Sequence, residues 1–472
     1  MDDKNSERFA CSLPAEGSKI HFIGIGGSSM SGLALLSADA GYIVSGSDRE
    51  ESRNTLSLRE KGFQIHIGQR PENITPDISL VVYTIAVGSG NPELKAALSA
   101  GIPAVERGTF LGLFASRYIY TVSVTGTHGK TTTTSMLSSI LLSAGLDPAI
   151  HIGGHFPLIG SNVRSSGSDY FITEACEYYE HMLKIPSFGG IILNVESEHM
   201  DYYKTDDALD SAFSRFAAGI PDHGFLVVCA ENARAMRVSS SASCRITTYA
   251  SADSGVEADY CYKIVSKHPG PASFEIVYGG RTLTEVTMKV PGNHNISNAL
   301  AAACAAFELG VDPESVKAGL EAFEGTGRRF ELVGNCRGAM LIDDYAHHPT
   351  EISATLDAAG QILPKGGRII AIIQIHTFTR ARDFVVQFAE ALKKADLVYV
   401  TDIYAAREPD PGDVSGESVN AYFVEKGINS IYISDFAEIA EKIRENLTEN
   451  DIVLSLGAGD VNKIVYMLAK KS

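Results

Sequence analysis

The sequence predicts an α/β protein with three domains, and two patterns along the chain support this prediction. Short apolar segments alternate with longer alanine- and leucine-rich segments, which is typical of parallel sheets covered by helices. Two apolar segments run directly into glycine-rich turns, GIGGSSMSG at residues 24–32 and GTHGKTT at residues 126–132. A chain of 472 residues is also long enough for about two to four domains of ordinary size.

The first domain is predicted at residues 1–116. KIHFIG at residues 19–24 has the composition of a buried strand, and the glycine turn and an alanine- and leucine-rich helix follow it. YIVSGSD then predicts a second strand that ends at Asp48. A strand, a glycine turn, a helix and a second strand in this order are typical of the start of a Rossmann-like domain.

The central domain is predicted at residues 117–326. IYTVSVTGTHGKTT predicts a strand, a loop and a helix, and FITEA, GGIILNVE and FLVVCA predict further strands. From about residue 244 to residue 290, strand candidates follow one another without helices, which predicts a small antiparallel sheet appended to the parallel sheet. The turn-rich GTGRR at residues 325–329 marks the predicted boundary.

The C-terminal domain is predicted at residues 327–472. RIIAIIQ, DLVYVTD, SIYIS and DIVLSLGAGD read as strands, and helical stretches separate them. This alternation predicts a second Rossmann-like domain with a doubly wound sheet.

Composition excludes several classes of function. The formal net charge of −17 argues against binding to nucleic acid or to an anionic membrane surface. Seven cysteines without CxxC spacing favour free thiols in a reducing cytoplasm over disulfides or a zinc site. Because no segment is apolar enough to span a bilayer, we expect no membrane insertion. The sequence leaves a monomer and a homodimer equally open.

A glycine-rich loop between a predicted strand and a predicted helix is the strongest sign of chemistry. Glycines let backbone N–H groups curl around phosphate oxygens, and the N-terminus of the following helix adds a favourable dipole. Lys130 would neutralise the terminal phosphates of ATP, and the Thr131 hydroxyl would bind Mg²⁺. The loop is shorter than GxxxxGK[ST], with two residues between its glycines. We predict a central P-loop ATPase domain whose phosphate site consists of Gly126, Thr127, His128, Gly129, Lys130, Thr131 and Thr132.

The first glycine turn predicts a second nucleotide site. Gly24, Gly26 and Gly27 allow a tight turn against a diphosphate, and Asp48 lies where a ribose-binding carboxylate belongs. Ser29 occupies the position of the third glycine of GxGxxG. The turn therefore fits a nucleotide diphosphate. An NAD-dependent dehydrogenase is the alternative from another class, although it leaves the loop at residues 126–132 unexplained.

Acidic residues and a histidine follow two predicted strands of the central domain. Glu174 ends one strand, and Glu196, Glu198, His199 and Asp201 follow another. Because parallel strands end at one edge of a sheet, we expect these side chains to converge on the glycine-rich loop. Carboxylates suit Mg²⁺, and a histidine can complete a site for a second cation.

IDDYAHHPTE at residues 342–351 combines two acids, a tyrosine and two adjacent histidines in a predicted loop before a helix. Pro349 would lie in the first turn of that helix, with Thr350 and Glu351 after it. This composition makes the segment a further candidate for the functional site.

Five motifs in this order, TGTHGKTTT, NVESEHMD, PGNHNISNAL, GTGRRFE and DDYAHHPTE, resemble the Mur ligase family of peptidoglycan synthesis. The resemblance runs from about residue 19 to the last helix. It implies an N-terminal UDP-binding domain, a central ATPase domain and a C-terminal amino-acid-binding domain. The implied activity is an ATP- and Mg²⁺-dependent ligation of L-alanine to the carboxylate of UDP-N-acetylmuramate through an acyl phosphate. A UDP-N-acetylmuramate–tripeptide ligase of cell-wall recycling and a non-catalytic nucleotide-binding protein remain alternatives.

The resemblance also implies roles for single residues. Lys130, Glu174, His199 and His348 would be catalytic, and the metal ligands would be Thr131, Glu174 and His199. Beyond the glycine-rich loop, the nucleotide would contact His294, Asn295, Asn298, Arg329 and Asp344. The UDP-sugar would contact Gly26, Gly27, Ser28, Ser47 and Asp48. The incoming alanine would contact His348 and Arg380.

The sequence departs from the common pattern of the family at three places. Many members have EADESD where this chain has EACEYY, with Cys176 in place of an acid. Ser29 replaces a glycine of the first turn, and Thr377 stands where many members carry an arginine that helps to bind alanine. The departure at Thr377 bears on amino-acid specificity more than on the chemistry.

Overall fold

The computed structural model describes residues 11–266, 272–406 and 408–470, and it confirms the α/β fold class. The chain divides into two compact units. The first unit comprises Met1–Lys263, Glu275–Glu285 and Ser297–Ala322, and the second comprises Ile264–Phe274, Val286–Ile296 and Phe323–Ser472. The domain boundaries after residues 116 and 326 stay a prediction.

The first sheet has five strands, β1 (Lys19–Ile23), β2 (Ile43–Asp48), β3 (Gln64–Ile67), β4 (Ile78–Tyr83) and β5 (Ala104–Glu106). Its helices are α1 (Ser28–Asp39), α2 (Arg53–Glu60), α3 (Pro92–Ser99) and α4 (Arg107–Ala115). All pairings are parallel, in the order β3-β2-β1-β4-β5. The order reverses between β1 and β4, so the glycine turn after β1 lies where such sheets bind ligands.

The second sheet has ten strands, β6 (Tyr120–Thr125), β7 (Ala149–Phe156), β8 (Ser161–Arg164), β9 (Tyr170–Glu174), β10 (Gly189–Ile192), β11 (Phe225–Cys229), β12 (Arg245–Ser251), β13 (Tyr260–Ser266), β14 (Ala272–Tyr278) and β15 (Arg281–Met288). Their order is β15-β14-β13-β12-β11-β10-β6-β9-β7-β8. The helices of this part of the chain are α5 (Lys130–Ser143), α6 (Met200–Tyr203), α7 (Asp206–Ala218), α8 (Ala233–Ser239), α9 (Asn293–Glu308) and α10 (Pro313–Ala322).

The strands predicted after residue 244 extend this one sheet. The structure differs from the prediction in one detail, because β12 pairs in parallel with both β11 and β13. The connection through α8 accounts for the parallel pairing of β11 and β12, because it returns the chain to the edge of the sheet where β11 begins.

The third sheet has six strands, β16 (Glu331–Cys336), β17 (Ala339–Asp344), β18 (Ile369–Ile373), β19 (Leu397–Val400), β20 (Ser430–Tyr432) and β21 (Ile452–Leu456). Its helices are α11 (Pro349–Ile362), α12 (Phe378–Leu392), α13 (Gly416–Glu425), α14 (Phe436–Asn446) and α15 (Lys463–Ala469). The order is β16-β17-β21-β18-β19-β20, and within this sheet the β16–β17 pair is antiparallel while the other described pairs are parallel. None of the helices formed by the described residues has the length and apolar character needed to cross a membrane.

Helix α10 packs closely on α5, the helix that begins at Lys130. The Ser139 hydroxyl donates a hydrogen bond to the Gly319 carbonyl oxygen at 2.7 Å. A Cβ atom at Gly319 would lie 2.4 Å from the Ile140 Cα atom. Because a contact this short is impossible, the absence of a side chain at Gly319 sets how near the two helices come.

Replacement of Gly319 by alanine tests this contact. We expect Gly319→Ala to lower the free energy of unfolding by about 1–3 kcal/mol, because the new methyl group meets backbone atoms that cannot rotate away. Gly360 in α11 has no atom within 4 Å of where a Cβ would lie. Gly360→Ala is the matched control and should add ~0.5–1 kcal/mol through helix propensity. Equal midpoints of the two variants in thermal and urea unfolding would contradict the packing argument.

Candidate active site

The loop between β6 and α5 has the backbone shape of a phosphate-binding loop. Gly126 (φ 134°) and Gly129 (φ 85°) have positive φ values that residues with a Cβ rarely adopt. Gly129 is the N-cap of α5, and no side chain caps this helix. The N–H groups of the first turn of α5 and the helix dipole therefore favour an anion at this end.

Residues 194–196, which follow β10, hold the loop in place. The Asn194 side-chain oxygen accepts a hydrogen bond from the His128 N–H at 2.8 Å, and the backbone carbonyl oxygen of Asn194 accepts one from the Thr127 N–H at 3.1 Å. The Thr127 hydroxyl accepts a hydrogen bond from the Glu196 N–H at 2.9 Å, and His128 Nε2 lies 3.3 Å from the Glu196 carboxylate. The structure therefore brings the second acidic segment onto the loop.

The Lys130 ammonium is folded back onto its own loop. Nζ donates to the carbonyl oxygens of Gly126 at 2.5 Å and Thr127 at 2.9 Å, and it lies 3.0 Å and 3.2 Å from the two Glu177 carboxylate oxygens. Burial disfavours the charged form, but the negative charge of Glu177 prevails and raises the pKa of Lys130. Lys130 is therefore a firmly charged ammonium, as phosphate binding requires.

Glu177 lies between Lys130 and His199. Its side chain is 2 % exposed, and its Oε1 atom is 3.4 Å from His199 Nε2. Burial would raise the pKa of this carboxyl, but the Lys130 charge and the His199 contact hold the pKa at about 2. Sequence analysis gave Glu177 no role. The available signal was a second carboxylate three residues after Glu174, where the chain leaves the end of β9.

Thr131, Glu174 and His199 supply the donor types of a site for a hard cation. Glu174 ends β9, and its Oε1 atom accepts a hydrogen bond from the Gly153 N–H at 2.6 Å. The Thr131 hydroxyl makes no hydrogen bond to another described residue, whereas the Thr134 hydroxyl donates to a carbonyl of α5. A carboxylate, a hydroxyl and an imidazole fit Mg²⁺ or a similar cation. The side chain of Asp201 lies outside the described part of the structure.

Tyrosines surround Glu177 and His199. The Tyr178 ring is stacked on the His199 imidazole with centroids 4.3 Å apart, and the Tyr203 hydroxyl donates to the Glu177 carbonyl oxygen at 2.5 Å. His199 has a φ of 58° and Tyr179 a φ of 53°. Positive φ at residues other than glycine costs about 1–3 kcal/mol each and is concentrated at functional sites.

Cys176 gives the site a neutral thiol at the position where the pattern that the sequence resembles has an acid. Burial and the Glu177 charge raise the pKa of the Cys176 thiol to about 11. The thiol is therefore uncharged, and Glu177 is the carboxylate that balances Lys130.

The glycine turn after β1 is joined to Asp48 and to β7. The Gly26 N–H donates to the Asp48 carboxylate at 2.8 Å, and a Cβ at Gly26 would come 2.8 Å from the same oxygen. Gly27 is the N-cap of α1 without a side-chain cap, and the Ser28 hydroxyl donates to the Gly153 carbonyl oxygen at 3.1 Å. Asp48 therefore shapes the turn, and its contact with a ribose stays a prediction.

Ser47 is fully buried, and its hydroxyl donates to the Glu93 carboxylate. Glu93 is fully buried too, with His21 Nε2 3.7 Å away and a hydrogen bond from the Asn73 amide. No sequence pattern predicted this buried acid, because an acid in the first turn of a helix such as α3 is common. A direct contact between the Ser47 hydroxyl and UDP stays a prediction.

Arg107, the first residue of α4, joins the glycine turn to the central sheet. Its guanidinium donates to Ser29 Oγ at 3.2 Å and to His181 Nδ1. The Ser29 hydroxyl also lies 3.2 Å from His151 Nε2. Burial disfavours the charged form of Glu106, but the His181 contact at 3.2 Å helps to hold its pKa at about 2. Arg107 and His181 were missed because their positions carry no sequence motif.

The GNHNISNAL residues fall in both units. In the first unit, Asn298 faces the loop, since a Cβ at Gly129 would lie 2.6 Å from its Oδ1 atom. In the second unit, burial lowers the pKa of His294 to about 4, and the Asn295 amide donates to the Pro291 carbonyl oxygen at 2.6 Å. A neutral His294 is compatible with the predicted contact to adenine.

Asp344 and Arg329 belong to the second unit. Asp344 ends β17, and its carboxylate accepts hydrogen bonds from two backbone N–H groups at 2.7 Å and 2.9 Å. Burial raises its pKa to about 6. The Arg329 guanidinium lies 5.1 Å from the Tyr345 ring centroid and 3.7 Å from the Glu351 carboxylate. Their contact with a nucleotide stays a prediction.

His348 is the N-cap of α11, which begins at Pro349 as the sequence predicts. Its Nδ1 atom accepts a hydrogen bond from the Thr350 N–H at 3.4 Å, and its own N–H donates to the Glu351 carboxylate at 3.3 Å. Because Nδ1 accepts this hydrogen bond, Nε2 carries the proton of the neutral imidazole, and Nδ1 is the nitrogen that can act as a base when the Thr350 N–H releases it.

Arg380 lies buried at the start of α12. Its guanidinium donates to the His376 carbonyl oxygen at 3.1 Å. Thr377 is the N-cap of α12, with a φ of 71° although it is β-branched, and its hydroxyl accepts a hydrogen bond from the Arg380 N–H at 3.3 Å. Thr377 therefore caps the helix that carries Arg380 and supplies no second guanidinium.

Mur ligase family models match three parts of the chain. Residues 19–119 match the Mur ligase family catalytic domain, residues 124–306 the Mur ligase middle domain and residues 328–459 the Mur ligase glutamate ligase domain. A UDP-N-acetylmuramate–L-alanine ligase of Clostridium kluyveri is 44 % identical over 446 residues, which cover 94 % of this chain and 96 % of that relative.

Two solved structures are similar over the same length. A UDP-N-acetylmuramate–alanine ligase of Thermotoga maritima has a TM-score of 0.82 and 28 % identity, covering 96 % of this chain and 98 % of that one. A murein peptide ligase of Psychrobacter arcticus has a TM-score of 0.71 and 25 % identity with the same coverage. These findings confirm the resemblance that the motifs indicated. The chain belongs to the Mur ligase family.

Proposed function

We propose that this chain is an ATP- and Mg²⁺-dependent ligase that joins L-alanine to the carboxylate of UDP-N-acetylmuramate in the cytoplasm, as a step of peptidoglycan precursor synthesis. The observation that carries the proposal is the charged Lys130 at the glycine-rich loop, in a chain 44 % identical to a UDP-N-acetylmuramate–L-alanine ligase. Enzymes of the Mur ligase family are ATP-dependent, which agrees with this loop.

The chemistry explains why a charged lysine is needed at the loop. A carboxylate is a poor electrophile, and transfer of the γ-phosphoryl group of ATP to it forms an acyl phosphate with a good leaving group. Transfer between two anions requires that their repulsion be neutralised. Lys130 supplies positive charge for this step. Mg²⁺ would supply more when bound by Thr131, Glu174 and His199.

Amide formation requires a free amine and a fixed orientation of the amino acid. The amine of alanine attacks the acyl carbon, and phosphate leaves as the C–N bond forms. Because an ammonium group is no nucleophile, a base must remove its proton, and His348 is our candidate. The Arg380 guanidinium would bind the carboxylate of alanine.

A tripeptide ligase of cell-wall recycling is the second candidate, favoured by the TM-score of 0.71 with a murein peptide ligase. The TM-score of 0.82 with an alanine ligase supports alanine more strongly. An NAD-dependent dehydrogenase would explain the first glycine turn but not Lys130 in its loop.

Phosphate release from ATP tests the proposal. The assay contains Mg²⁺, UDP-N-acetylmuramate and one member of a panel that includes L-alanine, glycine, L-serine and the tripeptide. We expect release that requires both the sugar nucleotide and L-alanine. Phosphate release with the tripeptide and with no amino acid of the panel would support the tripeptide ligase of cell-wall recycling instead. No phosphate release with any member of the panel would overturn the proposal.

Lys130→Met should lower the rate of phosphate release by about 100-fold or more, because the charge that offsets phosphate repulsion is lost. Lys317→Met removes an exposed lysine that lies 3.9 Å from Glu321, and it should keep the parental rate. Similar rates for the two variants would contradict the role of Lys130.

Two variants of His348 separate its cap from its proposed chemistry. Alanine removes both the cap and the base, whereas asparagine retains a capping side chain. We expect both variants to lower kcat/KM for alanine by about 100-fold, with only His348→Ala losing ~1 kcal/mol of stability. If His348→Asn keeps the parental kcat/KM, the residue serves as a cap alone.

A further inference from the structure

We propose that Glu177 is a positioning residue that competes with the nucleotide phosphates for Lys130 and thereby sets the affinity of the loop for nucleotide. The inference deepens the proposed function, because it rests on the role of Lys130 as the phosphate-binding lysine. Glu177 has no part in the chemistry described above, although its carboxylate is almost fully buried beside Lys130 and His199.

The competition follows from the number of donors on Lys130. An ammonium group has three N–H donors. In this structure they face the carbonyl oxygens of Gly126 and Thr127 and the carboxylate of Glu177. A phosphate oxygen can therefore bind Nζ only in exchange for one of these partners. The incoming phosphate and the Glu177 carboxylate repel each other, whereas the loop carbonyl oxygens carry no net charge, so Glu177 is the partner that phosphate displaces.

Within the ion pair, contacts with neighbouring residues hold Glu177 in place, whereas the Lys130 ammonium can move. The Glu177 carbonyl oxygen accepts a hydrogen bond from the Tyr203 hydroxyl, and Oε1 lies 3.4 Å from His199, whose ring is stacked on Tyr178. Lys130 carries its charge on a flexible four-carbon stem. Exchange therefore moves the ammonium toward the phosphates and leaves Glu177 against His199.

No other acid in the described part of the chain takes this place. Glu177 is the one described carboxylate within 4 Å of the Lys130 ammonium. Glu174 acts on Lys130 only through its charge and binds the Gly153 N–H. Cys176 is a neutral thiol. The charge that nucleotide must displace is therefore concentrated in one side chain.

Binding of ADP to the full-length chain, measured by titration calorimetry in EDTA, tests the proposal. Glu177→Gln keeps the shape of the side chain and removes its charge, so we expect ADP to bind about three- to tenfold more tightly. Glu180→Gln is the matched control, because it makes the same change three residues away, where the carboxylate pairs with Arg215 instead of Lys130. We expect the control to keep the parental affinity.

A buried polar substitution that only damaged the structure would weaken ADP binding, so tighter binding separates positioning from a structural role. Unchanged or weaker binding by Glu177→Gln would overturn the inference, while ligase activity of the parent would leave the proposed function standing. Failure of the parent to bind ADP in EDTA would overturn the inference, whereas the phosphate-release assay with Mg²⁺ decides the proposed function separately.

A crystal structure of the unaltered chain with ADP keeps the inference testable if Glu177→Gln fails to fold. We expect Lys130 Nζ to contact the β-phosphate and to lie beyond 4 Å from Glu177, with the contact between Glu177 and His199 retained. A Lys130–Glu177 ion pair that persists beside bound ADP would overturn the inference.

Discussion

The central constraint on this molecule is the buried positive charge of Lys130, which needs a negative partner in the free protein and must still be available to bind phosphate. Lys130 and Glu177 satisfy it as an ion pair whose carboxylate is buried and whose ammonium sits on a flexible stem. An unpaired charge at this depth would be strongly destabilising. The glycines Gly126 and Gly129 give the loop the shape in which its carbonyl oxygens hold Nζ. The loop is therefore shaped around the position of one charge.

Hydrogen bonds join the glycine turn after β1 to the central sheet. The Gly153 carbonyl oxygen accepts a hydrogen bond from Ser28, and the Gly153 N–H donates one to Glu174. One residue of β7 thus connects the start of α1 with a candidate metal ligand. Ser29 adds a second connection, because its hydroxyl meets both Arg107 and His151. A glycine at Ser29 would lack that hydroxyl, so this departure from the common pattern has a clear structural use.

Local patterns predicted the parts of the molecule that depend on local chemistry. The strand, loop and helix around Lys130 follow from apolar runs and glycines, and the start of α11 follows from Pro349 and Glu351. Glu177 and Arg107 could not be predicted in this way. Glu177 matters because it contacts Lys130, and Arg107 matters because it contacts Ser29. Both contacts join residues that are far apart in the sequence, so they leave no periodic signal in it. Local sequence patterns therefore do not predict polar contacts between residues that only the fold brings together.

In the second unit, the candidate substrate contacts lie at helix N-termini, where His348 is itself a cap and Arg380 follows the cap Thr377. His348 caps α11 and Thr377 caps α12, and these helices follow the parallel strands β17 and β18. Such strand ends are where α/β sheets bind ligands, and helix N-termini favour carboxylates. With Thr377 as a neutral cap, Arg380 is the buried guanidinium near the start of α12, and the exposed Arg382 pairs with Asp413. A single guanidinium can bind a carboxylate through two hydrogen bonds, so the proposed recognition of the alanine carboxylate needs no second arginine at Thr377. The start of α12 thus combines the buried Arg380 guanidinium with the positive end of a helix dipole, and both of these features favour a carboxylate.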